Sequence, residues 1–141
     1  MVKTKWFIYT VIIGLIPFIV RFFVFLFYEE RSADFLFNGI DFIIFGLVLN
    51  LSNINELEGK AYLDKKKLDN WKTWKSRGIG LSVVFIIVFS SILGIAYFSE
   101  IEGVKLDKTA IKICAIILSF ASFLFSYSIF NRINSIDNGK N

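Results

Sequence analysis

The chain is predicted to be an all-α integral membrane protein with four transmembrane helices in two antiparallel hairpins and both termini on the cytoplasmic side. Four apolar runs carry that prediction: Trp6–Tyr28, Phe35–Leu51, Gly78–Phe98 and Thr109–Phe130 fill most of the 141 residues. Each is about 17–23 residues long, close to the roughly 20 that a helix needs to cross a ~30 Å hydrocarbon core. The charge of the connections carries the rest. Lys3, Lys5, Lys60, Lys65, Lys66, Lys67, Lys72, Lys75, Arg77, Arg132 and Lys140 fall on one side, against Arg31, Lys105, Lys108 and Lys112 on the other. Basic connections stay on the cytoplasmic face, which places the N-terminus, the 52–77 loop and the C-terminal tail inside.

The first run follows Lys3 and Lys5 like the opening of a signal peptide. It is too long for a signal core, and no small-x-small cleavage site follows it, so it reads as an uncleaved first span. The turn Glu29–Asp34 is tight and acidic, which makes spans 1 and 2 a hairpin. The loop 52–77 is the only sizeable polar segment, and Gly59 is expected to interrupt any helix in it. Spans 3 and 4 form the second hairpin around a short acidic turn, Ser99–Lys108. No internal repeat relates the two hairpins, so an inverted-repeat transporter within one chain is not supported.

Composition narrows the function classes. Hydrophobic residues make up 55% of the chain and mean hydropathy is +0.62, more than a soluble domain of this length could hide. One membrane domain, 1–141, accounts for the whole. The 17 Phe, with abundant Ile, Lys and Asn, suit an AT-rich microbial genome and therefore a prokaryotic cytoplasmic membrane. Cys114 is the only cysteine and there is no histidine. The commonest general base and the commonest metal ligand are thus missing together, so no catalytic residue, metal or cofactor is expected and an enzyme is not expected.

Three groups of residues break the apolar pattern. Arg21 and Asp41 lie about seven residues from the outer ends of spans 1 and 2, at matched depth in an antiparallel hairpin. An intramembrane ion pair between them is expected, because a charge inside a span costs roughly 2.5–3.5 kcal/mol unless it faces protein or water. The pair either fixes helix register or takes part in an ion or proton response; a snorkelling Arg21 is the remaining option. Asn38 shares a face with Asp41, and Pro17 is expected to kink span 1.

On span 4, Lys112, Ala115, Ser119, Ser122 and Ser126 recur at steps of three and four and form one helical stripe. Small residues let helices approach closely in lipid, so the stripe packs the bundle or a homo-oligomer interface, or lines a pore around an oligomer axis. Gly80 and the Ser90–Gly94 pair make a weaker stripe on span 3. In the 52–77 loop, Ile54, Leu57, Ala61, Leu68 and Trp71 share one side of a helical wheel, while Lys65, Lys66 and Lys67 lie mostly elsewhere. Trp71 and Trp74 suit the membrane interface. The loop either touches anionic lipid or docks a cytoplasmic protein; Glu56, Glu58, Asp64 and Asp69 dilute its charge, so nucleic acid is not an expected partner.

Four spans in this length, a short outer turn after span 1 and the basic segment from Lys65-Lys66-Lys67 to Arg77 resemble small membrane proteins of bacterial phage-defence and exclusion systems. The membrane subunit of the Kiwa system and the lambda-type RexB exclusion protein are examples. The resemblance covers the whole chain as architecture and implies a non-enzymatic, oligomeric membrane sensor working with a soluble effector. Membrane immunity proteins against pore-forming bacteriocins have a similar build. A small oligomeric channel or exporter is the other expectation. The Glu in span 1 of small multidrug exporters and the Gly-rich, Arg-containing signature of fluoride channels are both missing.

Overall fold

The computed structural model of the chain describes residues 7–29, 35, 37–59, 65–101 and 105–137. All regular structure among them is helical. A π-helical stretch, Phe7–Ile12, leads directly into α1, Ile13–Phe27. Then follow α2, Gly39–Glu58, α3, Lys65–Phe98, and α4, Lys108–Asp137. All four helices are long and apolar enough to cross a membrane, the first counted from Thr10. By length and composition, the chain therefore has four candidate membrane-spanning helices.

Local chemistry explains the boundaries. Pro17 sits inside α1 and cannot donate to the carbonyl four residues before it, that of Ile13. The winding changes from π to α at that residue, and wider or tighter turns are the usual way a membrane helix accommodates proline. Asn38 starts α2 by accepting a hydrogen bond from the Ile40 amide at 2.9 Å, and Asp107 starts α4 by accepting from Thr109 and Ala110 at 2.9 and 3.0 Å. These are N-caps that satisfy otherwise unpaired amides.

Two boundaries differ from the sequence reading. Span 2 begins at Gly39 and runs to Glu58, several residues later than Phe35–Leu51, because the Asn38 cap rather than the first apolar residue starts the helix. The 52–77 segment is mostly helix. Its first residues complete α2 and its last residues open α3, with Gly59 closing α2 through a 3.0 Å bond to Asn55 O. At 1.5 Å per residue the 34-residue α3 is about 51 Å long, well beyond a ~30 Å core.

The helices are arranged around α2 rather than as two separate hairpins. Among the described residues, α2 packs extensively on both α3 and α4 and is the only other helix whose backbone α1 approaches, while α3 and α4 touch each other far less. Of the apolar windows, 39% of α2 is buried inside the protein, against 17% for span 1 and 11% for α3. The outer faces of α1 and α3 leave Phe22, Phe23, Val84 and Ile87 exposed, a surface suited to lipid rather than water.

Candidate functional site

Arg21 of α1 and Asp41 of α2 form an ion pair. The guanidinium donates Nε to Oδ2 and Nη2 to Oδ1, the second bond at 3.2 Å. Asp41 is almost fully buried and the Arg21 side chain is 23% exposed. Arg21 Nη1 also donates to the Phe35 carbonyl at 3.4 Å, and the guanidinium lies over the Phe35 ring, 5.2 Å from its centroid. Because α2 starts at Gly39, Asp41 falls in the first helical turn rather than well inside the span. There the positive end of the helix dipole favours a carboxylate. Asn38 does not join the pair; its side chain is spent on the α2 cap.

The span 4 stripe is a seam within one chain. Ala115, Ser119, Ser122 and Ser126 are all buried, and α2 covers them. Asn50 Nδ2 donates to Ser122 Oγ at 2.5 Å and to Gly46 O at 2.8 Å, while Asn53 Nδ2 donates to Ser126 Oγ at 2.9 Å. Lys112, half-buried, brings its backbone so close to Gly39 that an added Cβ there would lie 3.2 Å from the Lys112 Cα. Asn50 and Asn53 are the residues that sequence reasoning missed. Asn53 falls in the polar 52–77 segment that reads as a loop, although the three-residue step from Asn50 to Asn53, beside the four-residue step from Ser122 to Ser126, is a readable signal. Thr10 and Ser52 add a hydrogen bond of 2.7 Å between span 1 and α2.

Span 3 contributes differently. Gly80 and Gly94 have open space where a Cβ would stand, and Ser90 is exposed, so this weaker stripe packs against no other helix among the described residues. Midway along its contact with α2, α3 places Phe89, fully buried, with its ring against Gly46.

At the opposite end from the ion pair, α2, α3 and α4 converge on a cluster of Leu57, Trp71, Ile129 and Ile133. Trp71 is only 6% exposed, so it packs into protein and does not face lipid as the sequence suggested; α3 is already helical there and turns the ring onto Leu57. Trp74 is half-buried, 5.3 Å from Trp71, and Arg132 of α4 lies 5.6 Å over its ring. Lys75 Nζ donates to the Glu58 carbonyl at 3.3 Å, closing the C-terminus of α2. Lys72, Arg77 and Arg132 are exposed on this base. Residues Lys65, Lys66 and Lys67 are helical, with side chains outside the described residues; Lys60, Ala61 and Asp64 lie outside the described residues altogether. Among the described residues, no group of three or more Cys, Asp or Glu is placed to hold a metal ion.

No family model matches the chain, and no curated protein or solved structure matches it either.

Proposed function

We propose that the chain is a non-enzymatic subunit of a membrane assembly in a prokaryotic cytoplasmic membrane, a homo-oligomeric sensor or anchor whose inner end engages a cytoplasmic protein. The observation that carries this reading is the helical base. Three helices lock together around Leu57, Trp71, Ile129 and Ile133 and present Lys72, Arg77 and Arg132 outward. A basic surface held on a packed base keeps its shape, which favours docking over a loose lipid-touching connector. The charge bias supports placing this end inside. The defence setting rests on the resemblance in architecture.

The polar seam is what speaks for a channel. Its serines are closed off by α2 within a single chain, so conduction along them would require α2 and α4 to part. Purified protein sealed in liposomes that passes no ions would count against conduction; a steady flux reduced by Ser122→Leu would replace the anchor reading.

The anchor reading is tested by mild-detergent pull-down of the tagged protein from its host. A soluble partner in fixed ratio is expected to co-purify with the wild type and to be lost from Lys72→Gln/Arg77→Gln/Arg132→Gln, with membrane insertion unchanged. Co-purification that survives the triple change, or recovery of the chain alone, would overturn it.

A further inference from the structure

We propose that a single water molecule is bound inside the α2–α4 seam, bridging the Ser119 hydroxyl and the Asn50 carboxamide oxygen. Both side chains are buried to 2% exposure or less, and both Ser119 Oγ and Asn50 Oδ1 make no hydrogen bond within the protein. Buried polar atoms without partners are rare in native proteins, and rarer where hydrocarbon rather than water lies outside.

Helix register brings the two atoms to one level. α2 and α4 run parallel with a constant offset of 72–73 residues: Gly39 meets Lys112, Asn50 meets Ser122 and Asn53 meets Ser126. The same offset sets Ser119 opposite Gly46. The Asn50 side chain reaches back along α2 to that level, because its Nδ2 is bonded to Gly46 O at 2.8 Å. An unpaired acceptor and an unpaired hydroxyl therefore share one turn of the seam. Water complements both: it accepts from Ser119 and donates to Asn50 Oδ1. A bound water needs two to four such partners.

The surroundings favour a neutral ligand. Ile43, Phe89 and Ala115 form the apolar wall here, and the nearby carboxylate, Asp41, is engaged by Arg21. A bare cation would find no compensating charge. The exposed Ser91 shows the other solution open to a helix serine, since it donates to the helix's own backbone at Ile87 O, 2.8 Å away; Ser119 does not. Ser82 Oγ is the second unpaired hydroxyl and serves as an internal comparison. The antiparallel pairing of Leu57 with Gly78 and Gly46 with Phe89 places Ser82 level with Asn53, about 10 Å along the axis from Ser119.

The test is water-to-protein magnetisation transfer by solid-state NMR on the full chain in lipid vesicles, with thermal unfolding in detergent beside it. A water cross-peak at the Asn50 side-chain amide is expected in the wild type and in Ser82→Ala, and is expected to be lost in Ser119→Ala. Ser119→Ala should lower the unfolding midpoint by about 2–4 °C, and that loss should vanish in an Asn50→Leu background. A dry Asn50, a cross-peak unchanged by Ser119→Ala, a midpoint raised by Ser119→Ala, or a loss of equal size in both backgrounds would each overturn the proposal. Should Asn50→Leu not fold, the cross-peak in Ser119→Ala decides alone.

Discussion

A guanidinium inside an apolar helix has few acceptable surroundings, and Arg21 has found three of them at once: a carboxylate, a backbone carbonyl and an aromatic face. Asp41 gains from the arrangement as well, because its position in the first turn of α2 sets it on the positive end of the helix dipole. Removing one partner strands the other, so Arg21→Ala or Asp41→Ala should each destabilise the fold by about 3 kcal/mol or more, and the double change by less than either. Arg21→Lys should fall between, since an ammonium cannot make the two-point bond. Denaturant titration of the helix signal in mild detergent would check the series; strictly additive losses would show that the two charges stabilise independently.

Among the elements, α2 does most to organise the others. Its glycines set the closeness of the crossings. A Cβ on Gly46 would run into the Phe89 ring, whose atoms are the far end of a side chain packed in an apolar cluster. Gly46→Ala is therefore expected to cost about 1–3 kcal/mol through overpacking, and Phe89→Leu in the same chain should recover part of it. On the face toward α4, amides replace apolar contacts. Asn53→Leu should lose about 0.6–2 kcal/mol, the range for a hydrogen bond between membrane helices. Both are read as shifts in unfolding midpoint. A loss from Asn53→Leu matched by Ser126→Ala, with no further loss in the double variant, would tie it to the 2.9 Å bond.

For the whole molecule, the fold puts the start of span 1, the end of α2, the start of α3 and the end of α4 at one end: Thr10 bonds Ser52, and Leu57 packs with Trp71 and Ile133. Lys72, Lys75, Arg77 and Arg132 belong to that end, while Glu29, Glu100, Asp107 and Lys108 belong to the other. In a Cys114→Ala background, single cysteines at Glu58 and Glu100 should react with an impermeant thiol reagent from opposite sides of the membrane, Glu100→Cys in intact cells and Glu58→Cys only after lysis. The reverse pattern would place the basic base outside and remove the cytoplasmic partner.

The number of helices long and apolar enough to cross a membrane was legible because a hydrocarbon core constrains composition directly: about 20 apolar residues per crossing leave a signal that needs no tertiary information. The Arg21–Asp41 pair was legible for a related reason, since a charge within such a run requires a partner and the hairpin offers few. The stripe on span 4 could be seen as a face, but not what it faces. Its partner lies more than seventy residues away in Asn50 and Asn53, and periodicity within one helix says nothing about which neighbour covers it. The 52–77 segment read as a loop because polarity marks the end of an apolar run, not the end of a helix; contacts of Trp71 with Leu57 and Ile133 keep the helices going past it. The sequence by itself thus determined that the chain is helical, how often it is long enough to cross, and which charges had to be paired. Only the tertiary structure decided that α2 lies at the centre, because that choice depends on close packing between distant segments, Phe89 on Gly46 and Lys112 on Gly39, which no local pattern encodes.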